Sequence, residues 1–109
     1  MFHNILFDFG SDTLTPESYK VLETLATYLN SNKKQSYYIV GPTDNIGSLI
    51  NNQKLSEKRA QAVTKALISK YHVNSTQLSA HGVGQLSPLA INTTETRRAL
   101  NRRVAVVLK

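Results

Sequence analysis

The sequence predicts an α+β fold: a two-layer βαβαβ(α)β sandwich in which a small mixed four-stranded sheet carries helices on one face. Three observations predict it. Short apolar or β-branched runs at residues 2–9, 36–40, 78–83 and 104–108 have the length and composition of strands. Two stretches between them, after Thr15 and after Ser56, repeat apolar residues every three or four positions, as an amphipathic helix does. The 109 residues suit one domain spanning 1–109, with a core large enough to need neither disulfide nor metal.

Taken in order, Phe2 to Phe9 holds Ile5, Leu6, Phe7 and Phe9 in a largely buried strand that Gly10 and Ser11 end. Thr15 before Pro16 and Glu17 reads as an N-cap, a first-turn proline and a carboxylate on the positive end of the helix dipole. The helix that follows buries Tyr19, Leu22, Leu25, Ala26 and Leu29, and residues 30–34 supply its polar exit. Residues 36–40, rich in aromatic and β-branched side chains, form the second strand and stop at Gly41-Pro42. Residues 41–54 read as loop, with Ser56 capping a second helix that reaches about Tyr71 on Ala60, Val63, Ala66 and Leu67. Leu78 to Val83 is the third strand, Gly84 to Pro88 a turn, and residues 94–100 one or two helical turns. The nearly all-apolar run Val104 to Leu108 is expected in the middle of the sheet.

Composition narrows the chemistry. No cysteine means no thiol nucleophile, cysteine zinc site or iron–sulfur cluster. Thirteen Lys and Arg against seven Asp and Glu give a net charge of +6, which favours anionic surroundings. No apolar run is long enough for a membrane span, and the start, MFHNILFDFG, lacks the regions of a signal peptide. Any targeting or anchoring segment is expected outside this sequence.

One loop is placed for ligand binding. Residues 41–48 lie between a strand's carboxyl end and a helix, where α/β sheets tend to bind ligands, and Asp44 is their only acid. If Ser56 is the cap, Arg59 falls in the first helical turn and faces the same crevice. A carboxylate and a guanidinium shown together match a zwitterion: Asp44 accepts from an ammonium, and Arg59 grips a carboxylate with help from helix N-terminal amides. The plain alternative is an Asp44–Arg59 salt bridge with no ligand. On the first reading, Asp44→Ala or Arg59→Ala removes binding and leaves melting nearly unchanged.

Gly41-x-Thr43-Asp44-x-x-Gly47-Ser48, followed by Asn52-x-x-Leu55-Ser56-x-x-Arg59-Ala60-x-x-Val63, closely resembles the peptidoglycan-binding signature of the OmpA-like C-terminal domain (the OmpA/MotB/Pal type). Phe7-x-Phe9-Gly10-Ser11 resembles that family's opening strand and loop, Gly82-x-Gly84 with Pro88 and Asn92 its third strand and turn, and Asn101-Arg102-Arg103-Val104 its closing motif. The resemblance spans about residues 5–108. It implies non-covalent binding, without turnover, of the peptide stem of peptidoglycan, chiefly the zwitterionic end of meso-diaminopimelate. By the same resemblance Asp44 holds the ammonium and Arg59 the carboxylate, while Ser11, Asp12, Thr43, Asn52 and Leu55 line the rest of the pocket. The implied setting is the periplasm of a Gram-negative bacterium, with the domain tying an outer-membrane or envelope protein to the wall. Pro42 departs from the family, which usually has His or Tyr there; it removes an amide donor and fixes φ. Asn51 is a lesser departure, standing where an aromatic is frequent. The alternative function is a scaffold domain in a secretion or motor complex with weakened wall binding.

Other candidates carry less. His3, His72 and His81 have no metal-ligand spacing, so neither a metal nor a cofactor is expected. Gly82-Val83-Gly84 lacks the rest of a dinucleotide loop, and Ser11, Ser48 and Ser56 have no triad partners in sequence motifs. Arg97, Arg98, Arg102 and Arg103 form the densest basic cluster, but without interleaved aromatics they read as a partly solvated face rather than a nucleic-acid site.

Overall fold

The computed structural model describes residues 2, 3, 5, 7, 11–42, 49–82 and 103–109. Strand β1 is Phe2–His3, helix α1 Ser18–Ser31, β2 Tyr37–Val40, α2 Leu49–Tyr71, β3 Leu78–His81 and β4 Val104–Leu108, with a short 3-10 turn at Ser75–Gln77 before β3. The sheet order is β1-β4-β2-β3. Strand β4 runs antiparallel to both its neighbours, and β2 and β3 are parallel, so the sheet is mixed and β4 is interior as its apolar run predicts.

Register decides which residues meet the helices. Ile39 pairs with Val106 and Ala80, and Tyr37 with Leu78, so alternate residues of β2, β3 and β4 share one face. That face meets Leu22, Leu25, Ala26 and Leu29 of α1 and Ala60, Val63, Ala66 and Leu67 of α2 in one buried cluster with Ile5 and Val73. Both helix stripes are the ones the periodicity selects; Tyr19 is partly buried at the margin. Chain ends of the helices are satisfied by side chains from elsewhere. Gln77 Nε2 donates to the carbonyls of Leu29, Asn32 and Gln35 at 3.0–3.2 Å, and Asn30 Nδ2 donates to the carbonyl of Tyr71 at 3.1 Å. After α2, His72 turns the chain with a positive φ of 59°.

Three expectations need correction or restriction. Within the predicted first strand the ladder covers Phe2–His3, and Phe7 makes an isolated antiparallel bridge with Leu14; residues 4, 6 and 8–10 lie outside the described residues. Thr15 is not the N-cap of α1. Residues 15–19 first form tight turns, with Ser18 N–H to the Thr15 carbonyl at 3.0 Å and Tyr19 N–H to the Pro16 carbonyl at 3.3 Å, and the cap position falls on Glu17. Thr15's hydroxyl lies 3.0 Å from that of fully buried Ser18. The turn at Gly84 to Pro88 and the helical turns at 94–100 lie outside the described residues.

Candidate functional site

The largest correction concerns α2, which starts at Leu49 and not at Ser56. The polar run Asn51-Asn52-Gln53-Lys54 looks like loop, yet it belongs to the opening turns of a 23-residue helix. Ser56 is therefore interior to the helix and completely buried. Its hydroxyl donates to the carbonyl of Gly41 at 2.6 Å, which ties the end of β2 to the helix. Arg59 sits roughly three turns in, so free N-terminal amides do not surround it.

Two glycines explain how α2 comes so close to the strand ends. A Cβ on Gly41 would lie 2.0 Å from the Ser56 carbonyl oxygen and 2.8 Å from the Ala60 nitrogen. One on Gly82, at the end of the adjacent parallel strand, would lie 2.7 Å from the Gln53 carbonyl oxygen. Only a residue without a side chain lets these backbones touch. The strands are joined there as well, by Gly41 N–H to the His81 carbonyl at 3.4 Å.

Arg59 is 2% exposed and reaches out of α2 beneath this junction. Its Nε donates to the carbonyl of Ser11 at 2.8 Å, and an Nη donates to the carbonyl of Pro42 at 3.5 Å, a long contact. The guanidinium carbon stands 5.0 Å from the centre of the Phe7 ring, within cation–π range. Both carbonyls are neutral acceptors, and they help to fix the direction of the fork. Around it, Ser11 Oγ accepts from Thr13 N–H at 3.0 Å, Asp12 is exposed and Leu55 is half-buried. Pro42 is buried and contributes its carbonyl where an amide was absent.

Of the residues the sequence singles out, Arg59 and Ser11 are thus brought together directly, with Leu55 one turn earlier on α2 and Asp12 beside Ser11. Thr43 and Asp44 lie outside the described residues, as does the side chain of Asn52. The sequence reading missed Phe7, Pro42 and Ser56 as parts of the Arg59 support. Reading α2 from Leu49 would have placed Ser56 and Arg59 on adjoining faces of one helix, but nothing in the spacing marks Phe7 as the ring under the guanidinium. Burial also overturns the expectation that Arg59→Ala leaves melting unchanged, because that change empties a buried site and strands two carbonyls. Among the described residues no group of three or more His, Asp or Glu forms a metal site, and no helix is long and apolar enough to cross a membrane.

A mixed sheet backed by two helices, with a buried arginine near the carboxyl ends of its parallel strands, defines a small α+β domain of one sheet and one helical layer. The chain belongs to the OmpA family, which it matches over residues 6–102. It is 38% identical over 93% of its length to outer membrane porin F of Pseudomonas aeruginosa, covering 29% of that protein. It superposes on the peptidoglycan-associated lipoprotein of Burkholderia pseudomallei with a TM-score of 0.73 and 34% identity, covering 98% of this chain and 90% of that one. A MotB-like protein from Desulfovibrio vulgaris gives a TM-score of 0.72 and 33% identity, with 96% and 67% covered. The chain spans from 29% to about half of the length of curated relatives such as these porins and outer membrane proteins.

Proposed function

We propose that this domain binds peptidoglycan non-covalently through the diaminopimelate-containing stem peptide and so holds an outer-membrane or envelope protein to the cell wall. The observation that carries the reading is Arg59: a buried guanidinium aimed by two neutral carbonyls and an aromatic ring. A guanidinium fork held in a set direction is suited to a carboxylate, which it meets with two parallel hydrogen bonds. In this reading Asp44 takes the ammonium of the same zwitterion, and Ser11, Asp12, Thr43, Asn52 and Leu55 border the ligand. No bond is made or broken, and no cofactor takes part. The domain works in the periplasm, its membrane attachment supplied by another part of the protein.

Affinity follows from the contacts. A hydrogen bond to a charged group contributes about 1.5–3 kcal/mol, so two of them and a few amides give micromolar to millimolar binding per site. The wall repeats its stems, so several tethered copies are retained far longer than one. Co-sedimentation with purified sacculi tests this. Wild type pellets, Asp44→Asn and Arg59→Lys stay in the supernatant, and Arg59→Lys keeps a positive charge so that the fork itself is probed. Equal pelleting of all three overturns the assignment.

Pro42 favours one second reading, a scaffold domain in an envelope complex, since the usual side chain of the family is missing from the loop. That reading predicts a folded wild type that does not pellet with sacculi at all.

A further inference from the structure

Strand β3 forms one edge of the sheet, and β2 is its only partner strand among the described residues. Because the His81 carbonyl accepts from Gly41, strand alternation turns the backbone groups of Ser79 and His81 toward β2 and those of Leu78 and Ala80 outward. The outward N–H of Leu78 is taken by the Ser75 carbonyl. Among the described residues Ala80 is left with its N–H and carbonyl on the open edge, and its methyl borders a groove of about 340 Å³ between β3 and α2. Gln61, Thr64, Lys65, Ile68 and Ser69 form the helix wall of that groove.

The rim is basic. Exposed Lys54, Lys58, Gln61 and Lys65 follow one another at helical spacing along α2. Glu57, the one acid in this helix, is half-buried and turned toward the Gly82 end of β3. An open backbone edge beside an apolar groove is a template for an added strand. With lysines along the rim, the strand that fits is acidic.

We propose that the β3 edge and its groove take up an extended acidic peptide segment, which pairs with the Ala80 backbone, places an apolar side chain against Ile68 and Ala80, and meets Lys58 and Lys65 with its carboxylates. A second copy of this chain fits less well, because pairing β3 with β3 brings two lysine ridges together in a molecule of net charge +6. Nucleic acid matches the charge but has no peptide groups to complement the edge. With only four residues in β3, the ladder is short and charge supplies much of the attraction, so binding is salt-sensitive. The surface is separate from Arg59, so the proposal does not rest on wall binding.

The probe is a fluorescein-labelled octapeptide of alternating Glu and Val, followed by anisotropy with the full chain and by amide hydrogen exchange. It binds at low salt, weakens about tenfold or more at high salt and by a similar factor in the double variant Lys58→Glu, Lys65→Glu, and slows exchange of the Ala80 amide about tenfold. Ala80→Pro removes the outward N–H without touching the β2 ladder and abolishes binding; should that variant fail to fold, the charge-reversed helix variant decides. An alternating Lys and Val peptide gives no signal. The proposal is overturned by absence of binding, by binding that leaves Ala80 exchange unchanged, by equal competition from a short single-stranded oligothymidylate, or by a dimer in sedimentation equilibrium that already protects Ala80.

Discussion

The two halves of α2 are held by different means. From Val63 to Tyr71 the helix presses apolar side chains, Val63, Ala66 and Leu67, into the core shared with α1 and the sheet. From Gln53 to Ala60 it lies backbone-to-backbone on Gly41 and Gly82, and its buried groups there include a serine and an arginine. The first half is specified by a repeating pattern that tolerates exchange among residues of similar volume. The second depends on individual atoms, since a missing Cβ or a single hydroxyl has no substitute of the same shape. A helix of this kind serves as a core element at one end and as the platform of a polar site at the other.

The comparison breaks most visibly at Gly41. Gly41→Ala puts a methyl 2.0 Å from the Ser56 carbonyl oxygen, so it is expected to cost about 3 kcal/mol or more, at the top of the overpacking range, with a drop of roughly 4 °C in Tm per kcal/mol. Calorimetry showing a loss under about 1 kcal/mol contradicts the close approach. Leu67→Ala, in the apolar half, costs about 2–5 kcal/mol through its cavity, yet its folded fraction pellets with sacculi as wild type does. Ser56→Ala is the converse. It destabilises by only about 1–3 kcal/mol, measured by urea unfolding, but frees the Gly41 carbonyl and shifts Pro42, so sacculus binding falls several-fold.

Smaller effects sharpen the picture at the core end. Burial pushes the Tyr37 phenol above its ordinary range, and a hydrogen bond and charge coupling with Tyr28 push it the same way. A raised value means that the stability contributed by the neutral phenol is complete below pH 10.0 and is lost as pH rises through the folded-state value. Tm measured on the alkaline side of that point therefore falls faster for wild type than for Tyr37→Phe. Smallest of all is Thr64→Val. Thr64 Oγ1 is buried with no hydrogen-bond partner among the described residues, so the change is expected to be neutral or to stabilise by about 0.5–1 kcal/mol in the same urea assay.

The same division decides how much was legible in the sequence. Leu22, Leu25, Ala26 and Leu29, like Val63, Ala66 and Leu67, announce themselves by spacing, and Val104 to Leu108 by an unbroken apolar run, so the sandwich and its inner strand follow from pattern alone. The start of α2 did not. Its first turns carry asparagines and a lysine, and a serine followed by a glutamate imitates a cap, although here the serine is spent on a contact fifteen residues back in the chain. Of the site, Arg59 was singled out by its place after the 41–48 loop and again by a family signature, and the Ser11 loop by the signature alone, whereas Phe7 under the guanidinium is a tertiary contact between residues 52 positions apart with no local trace. Arg59's burial was likewise invisible from its charge, which by itself reads as exposed.

The most direct measurement follows the Arg59 side chain itself, through the Nε–H resonance in a nitrogen-15 correlation spectrum titrated with a soluble muropeptide. The account predicts that this resonance, already displaced by the Phe7 ring, moves in a saturable way with a peptide ending in meso-diaminopimelate and moves far less when lysine, which lacks the second carboxylate, takes its place. A resonance that stays fixed while the muropeptide demonstrably binds elsewhere on the protein would contradict it.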